Sequence, residues 1–311
     1  MEIIKKFKKK LNEFLFQRRP QEYIVKRWDG VSDIELLSGI MGADPFTKEV
    51  NPVELDFDKI EKALILSPHQ DDESLGVGGT IFLLRGAGIP VEVCFLSDGG
   101  VSNASYAANA EEATRVRMGE ARQVAQYADF EIDIIDIPND IPKPTVKHLE
   151  QLAKKIRDNK DSTIFIPWLL DSPPKHRYLH HLLLLANDHM GLPDVDLFQY
   201  QVHNTLVPTH FVDITHVIEK KRTCLSMYKS QNESLKPYDH LGVAMSAWNT
   251  RLLPSANKSL YAEFFFRISL DLNLKLVREH YFQDIYRTYR GHNALIRGIK
   301  ELEENLRHYK K

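Results

Sequence analysis

The chain is poor in cysteine: Cys94 and Cys224 are the only two in 311 residues. They lie far apart and neither has a cysteine neighbour, which argues against a disulfide framework and a cysteine-based zinc site. Long apolar runs are missing too. No stretch approaches the roughly 20 residues that span a bilayer. Lysines interrupt the apolar residues of the N-terminus, so no signal peptide is expected. Nor is there an excess of one charge. The 41 basic and 43 acidic groups leave a formal net charge of -2, and this balance argues against bulk nucleic-acid binding. These absences point to a reducing, cytoplasmic setting. What remains is an ordinary globular composition, 43% hydrophobic and 27% charged. A chain of this length can bury a substantial core.

The charge is unevenly spread. Lys5, Lys6, Lys8, Lys9, Lys10, Arg18 and Arg19 face only Glu2 and Glu13. Ile4, Phe7, Leu11, Phe14 and Leu15 recur at helical spacing. Residues 1–19 therefore predict a basic amphipathic helix that stops before Pro20. Such a helix suits peripheral contact with an anionic membrane, or docking on its own domain. A second short helix is expected over 33–41, followed by a connection over 44–58.

From residue 61 short apolar runs alternate with helical patterns. Strands are expected over 63–66, 91–96, 132–137, 163–166, 198–202 and 211–214. Helices are expected over about 74–87, 109–128, 145–158, 176–189 and 215–228. This alternation predicts an α/β fold: a Rossmann-like, mostly parallel sheet with helices on both faces. The division follows as a helical N-terminal extension (1–60), a main domain (61–270) and a helical C-terminal extension (271–311). In the last, Tyr281, Phe282, Tyr286 and Tyr289 read as a packing stripe.

The most informative segment is Ser67-Pro68-His69-Gln70-Asp71-Asp72-Glu73, directly after the first strand of the main domain. Ligands of open α/β sheets bind beyond the carboxyl ends of strands. Three consecutive acids there favour a cation or other partners. His69 and Asp72 supply a nitrogen and an oxygen donor on one turn, both normal for zinc. The competing reading is an acidic turn favoured by the dipole of the next helix. A third ligand is expected from Pro173-Pro174-Lys175-His176, after the fourth strand. His180 lies one turn beyond His176 on the same face.

These residues resemble a known family. Pro68-His69-Gln70-Asp71-Asp72-Glu73 is similar to the Pro-His-Pro-Asp-Asp-Glu signature of the PIG-L (LmbE-like) zinc-dependent deacetylases. Gly76-Val77-Gly78-Gly79-Thr80, Leu96-Ser97-Asp98-Gly99, Arg117 with Glu120, Val212-Asp213-Ile214 and Tyr228-Lys229-Ser230-Gln231 resemble its further motifs. The resemblance covers roughly residues 61–270. It implies that His69, Asp72 and His176 bind Zn2+ and that Asp71 is the general base. It also implies hydrolysis of an N-acetyl group, most often on an N-acetylglucosamine-containing molecule. Asp98, Arg117 and His180 are candidates for substrate binding, with a solvated surface pair as the plain alternative for Arg117. Asp213 is expected to orient a loop or a ligand histidine.

Two positions depart from the pattern. Gln70 stands where the signature has proline. Pro173 and Lys175 stand where the family's His-Pro-Asp-His run has histidine and aspartate. The histidine that assists at the oxyanion in relatives is thus absent, and Lys175, His180, Tyr178 and Asp171 are candidate substitutes. Two other functions compete with a deacetylase acting on an N-acetylated amino sugar or glycoconjugate. One is a catalytically weak carbohydrate-binding protein on the same fold. The other is a nucleotide-binding Rossmann-like enzyme using Gly76–Gly79, although the preceding acids would repel a pyrophosphate.

Overall fold

The short apolar runs pair into one eight-stranded sheet. The computed structural model describes residues 34–43, 52–101, 104–139, 142–171, 173–232, 237–254, 256–281, 285–289 and 292–309. The basic helix expected over 1–19 lies outside the described residues. Helix α1 (Ile34–Met41) precedes the two-residue strand β1 (Val53–Glu54). The main domain then runs β2 (Ala63–Ser67), α2 (Asp72–Gly86), β3 (Val91–Ser97), α3 (Ala110–Ala128), β4 (Glu131–Ile137), α4 (Val146–Asp158), β5 (Thr163–Pro167) and α5 (Pro174–Met190). It continues with β6 (Asp196–Tyr200), β7 (His210–Asp213), α6 (Ile218–Met227), α7 (Tyr238–Asn249) and β8 (Ala262–Ser269). The C-terminal segment adds α8 (Leu270–Leu276), a π-helical turn (Val277–Tyr281), α9 (Ile285–Thr288) and α10 (Asn293–Tyr309).

The strand order is β1-β7-β8-β6-β5-β2-β3-β4. All neighbours are parallel except β8, which runs antiparallel to both β6 and β7. From β2 the chain steps outward to β3 and β4, then returns to set β5 against the other side of β2. The carboxyl ends of β2 and β5 are therefore a topological switch point, where an open sheet leaves a crevice.

The sheet divides two cores by strand alternation. Leu64, Leu66, Cys94 and Ile164 face one, and Ala63, Ile65, Val93 and Phe165 face the other. The C-terminal segment belongs to the first core through Leu274, Val277, Tyr281, Tyr289, Ile299 and Leu302. The Tyr281 hydroxyl donates to Leu169 O, and Arg177 donates to Thr288 O at 3.1 Å. Of the expected aromatic stripe, Tyr281 and Tyr289 are buried while Tyr286 is exposed. Phe282 lies outside the described residues.

The strand expected over 198–202 starts and ends two residues earlier, at Asp196–Tyr200. Strand β8 was not among the expected strands. Its Phe264, Phe265 and Phe266 are all buried, because both faces of the sheet are covered at that position.

Candidate active site

Three sequence-distant segments meet at the switch point. The turn after β2 carries His69 and Asp71, and α2 opens on Asp72; the loop after β5 carries Asp171; the first turn of α5 carries His176. Donor atoms of His69, Asp72 and His176 all lie within 4.8 Å of one another. Asp72 Oδ2 accepts from His69 N at 2.9 Å and lies 3.1 Å from His69 Nδ1. It also lies 3.2 Å from His176 Nε2.

Proline rather than a side-chain cap starts α5, a position where a missing N–H costs nothing. That start presents His176, fully buried, to the turn after β2. His176 Nδ1 pairs with Asp171 Oδ2 at 2.8 Å, leaving Nε2 buried and directed at Asp72 Oδ2. This is the arrangement that orients a metal-ligating histidine: a carboxylate behind one nitrogen and the second nitrogen aimed at the cluster. Two imidazoles and one carboxylate are also the donor set of an open, three-ligand zinc site. The residues thus fit a divalent metal.

The electrostatics agree. Burial alone would lower the His176 pKa, but the carboxylates of Asp72 and Asp171 outweigh it and raise the ring to about 10. Acids that favour a proton there equally favour a metal cation. Burial pulls His69 down to about 4 despite Asp72, so it is a neutral donor. Burial would raise Asp72, yet the two histidines hold its carboxyl well below the usual range.

Asp71 sits beside this cluster at φ 141°, a backbone region that favours glycine and is typical of strained functional positions. Its amide donates to Glu73 Oε2 at 3.1 Å. Arg117 Nη2 contacts its Oδ1 at 3.1 Å and also donates to Gln70 O. Burial, reinforced by Asp72 and Glu73, raises the Asp71 carboxyl well above its ordinary value against the pull of Arg117. The plain reading of Arg117 as a solvated surface group is therefore corrected: the side chain is buried against the acidic turn.

The other motif residues brace this turn. Glu73 Oε1 accepts from Tyr228 Oη at 2.7 Å and Ser74 Oγ at 2.6 Å. Glu120 accepts from Ser230 N and Oγ at 2.8 and 2.6 Å. Gln70 Nε2 donates to Ser97 O at 2.8 Å. It fits because Gly99, at φ 75°, has no Cβ to meet its amide oxygen. Asp98 Oδ1 accepts from Gly100 N and Asn139 N at 2.9 and 2.8 Å, ordering the loop that flanks a small cleft lined by His69, Lys175 and Tyr178. Asp213 Oδ1 caps its own loop through Thr215 N at 2.9 Å.

The residues considered for the absent histidine divide clearly. His180 is fully buried, and its Nε2 bonds Pro167 O at 2.8 Å. It meets the end of β5 inside the core. Lys175 Nζ bonds Asn139 O at 2.5 Å. Asp171 backs His176. The hydroxyl of Tyr178 is buried. Sequence reasoning missed His203, whose ring centroid lies 5.5 Å from that of His176. It also missed the buried pair Lys221–Glu263, at 2.7 Å. Glu263 accepts from Gly79 N and Thr80 N at 2.8 Å each, so those amides serve packing and are not open to a phosphate.

The fold and the site define a class: an α/β protein with a histidine–carboxylate centre at its switch point. Residues 64–187 match the family described as PIG-L, GlcNAc-PI de-N-acetylase. It is 28% identical over 192 residues to a diacetylchitobiose deacetylase of Thermococcus kodakarensis, covering 56% of this chain and 72% of the relative. Among solved structures it is similar to the N,N'-diacetylchitobiose deacetylase of Pyrococcus horikoshii. That match has a TM-score of 0.57 at 20% identity and covers 76% of this chain and 92% of that one. It is also similar to a 4-carboxy-2-hydroxymuconate hydratase, GalB, from Pseudomonas putida KT2440. Here the TM-score is 0.56 at 20% identity, over 67% of this chain and 96% of that one. Structural likeness at this identity gives the fold, and a hydratase shares it; the reaction is argued from the site.

Proposed function

We propose that the chain is a zinc-dependent N-deacetylase acting on an N-acetylglucosamine-type amino sugar or glycoconjugate. The observation that carries this reading is the convergence of His69, Asp72 and His176 with Asp71 beside them at the switch point. A relative described as a diacetylchitobiose deacetylase supports the substrate class. In this reading His69, Asp72 and His176 hold the metal, and Asp171 fixes the His176 ring. When bound, zinc supplies Lewis acidity that polarises the acetamide carbonyl and lowers the pKa of water. Asp71 takes a proton from the attacking water as the new C–O bond forms, and gives it to the amine as the C–N bond breaks. A carboxyl raised by burial is suited to hold that proton between the two steps. Arg117 orients the carboxylate and keeps it ionisable. Asp98 shapes the rim through Asn139 and Gly100.

A second reading is a weak sugar-binding protein on the same fold, favoured by Pro173 at the start of α5, which has no donor to offer. Acetate release by the zinc-loaded chain from N-acetylated sugars separates the two: turnover supports the first, and sugar binding without acetate supports the second. No helix among the described residues is long and apolar enough to cross a membrane. Peripheral contact through residues 1–19 is proposed from their basic, amphipathic pattern. Deleting them is expected to abolish flotation with anionic liposomes, and unchanged flotation would reject the contact.

A further inference from the structure

A single exposed apolar side chain is ordinary, but a cluster of them marks a contact surface. Seven large apolar residues are exposed among the described residues, and four of them, Leu241, Trp248, Leu252 and Leu260, fall in one short stretch. Helix α7 accounts for the grouping. Gly242, Val243, Ser246 and Asn249 form its buried side, where a Cβ at Gly242 would meet Leu225 and Leu75. Leu241, Ala244 and Trp248, at i, i+3 and i+7, share the opposite face and are exposed. Leu252 continues the ridge on the single turn Thr250–Leu252 that follows. Beside the ridge runs an open groove of about 440 Å³ lined by Val243, Ala247, Tyr261 and Arg222 among others. Leu260, the neighbour of Tyr261, is 65% exposed.

Charge decides what fits this face. From His240 to Ala262 the chain has no aspartate or glutamate, while Arg251 and Lys258 are exposed. The Arg251 guanidinium lies over the Trp248 ring, 4.4 Å from its centroid, so an indole and a cation are presented together. The acid that lines the groove, Asp239, accepts from His240 N at 2.7 Å through Oδ1. Glu219 on α6 sits 3.5 Å from Arg222. A second copy of the chain docked face to face across a two-fold axis would set the Arg251 and Lys258 charges against their own kind. An anionic lipid surface opposes none of these groups. Leucines enter the acyl boundary, the indole sits at headgroup level, and the cations meet lipid phosphates.

We propose that the exposed face of α7 and the segment after it, Leu241, Trp248, Leu252 and Leu260 with Arg251 and Lys258, is a docking surface for an anionic phospholipid bilayer. It is distinct from residues 1–19, and stable attachment takes two weak signals rather than one. The face begins beside the metal-ligand cluster. Tyr238, the first residue of α7, packs edge-on against His203 at 5.9 Å, and the His203 and His176 rings are 5.5 Å apart. Leu241 follows Tyr238 by three residues, about 4.5 Å along the helix axis. Docking therefore brings the site to the membrane surface.

The test uses the full chain and vesicles of phosphatidylcholine, alone or mixed equally with phosphatidylserine, with brominated acyl chains that quench indole fluorescence. Trp28→Phe leaves Trp168, which is fully buried, and Trp248, which is 58% exposed, so quenching reports on Trp248. The mixed vesicles are expected to quench it and shift its emission to the blue, and phosphatidylcholine alone is not. Leu241→Ser combined with Leu252→Ser should weaken partitioning at least about tenfold with an unchanged denaturation midpoint, because both side chains are exposed. Arg251→Gln and Lys258→Gln should each weaken it about fivefold at low salt. Four results would overturn the proposal: no quenching of Trp248, equal binding to both vesicle types, partitioning unchanged in the leucine variant, or leucine substitutions that alter only self-association in sedimentation. No readout uses turnover, so each outcome leaves the deacetylase reading where it stands.

Discussion

At the residue scale the account turns on Asp71. It is buried, held at a positive φ, and paired with the equally buried Arg117. Asp71→Asn is expected to keep about one zinc per chain and lose about 10²- to 10⁴-fold in kcat; metal analysis and acetate assay on the same sample check this. Arg117→Met should also lower kcat, because it strips the counter-charge from Asp71 and leaves Gln70 O without its donor. Arg117→Lys should recover part of the loss. Wild-type rates in both Arg117 variants would contradict the positioning role. The local part of the site was readable in the sequence because it is local: His69 and Asp72 share one turn, and His176 follows a Pro-Pro start. His203 carries no such signal. It is a single histidine in a loop, and only the pairing of β6 with β5 and the bonds to Asp171 bring it to the cluster.

At the element scale, α2 decides whether the acidic turn is presented correctly. Its N-terminal half is buried and packs on Tyr200, whose hydroxyl donates to Leu66 O at 2.9 Å. A Cβ at Gly76 would overlap the Tyr200 ring. Gly76→Ala is therefore expected to cost about 1–3 kcal/mol, as overpacking does, read as a lower denaturation midpoint. Further along, Lys221 bonds Leu75 O at 2.7 Å and Glu263 at 2.7 Å, tying α6, α2 and β8 together. Glu263→Ala leaves the Lys221 charge buried and unpaired, and is expected to cost about 3–5 kcal/mol. A cost below about 1 kcal/mol would show the network to be dispensable. The apolar runs made six of the strands legible within about two residues. The glycine run was legible as a feature but not as a role, because Tyr200, Ile214 and Glu263 that surround it are remote in sequence. The antiparallel insertion of β8 is likewise a long-range choice, set by its partners β6 and β7.

At the scale of the whole molecule, α5 carries the site histidine at one end and core histidines behind it. His180 and His181 are fully buried, and burial holds them neutral, with pKa values of about 4 and about 3. In the unfolded chain these groups titrate near 6.5. Their folded pKa values are depressed, so their contribution is full above about pH 6.5 and falls as the pH drops toward the folded values. Each costs about 1.4 kcal/mol per pH unit within that window. Asp71, raised by burial, acts with the opposite sign as it loses its proton. Thermal stability is expected to fall between pH 7 and pH 5, and His181→Phe should flatten the slope by one group. An equal slope would contradict the burial argument. The most direct measurement of the central claim is acetate release from a panel of N-acetylated amino sugars by metal-free chain titrated with zinc. The account predicts no acetate without metal and a rate that rises linearly to a plateau at about one zinc per chain, with Asp71→Asn binding the same zinc and remaining inactive. Acetate release that is independent of zinc, or equal in Asp71→Asn, would contradict it.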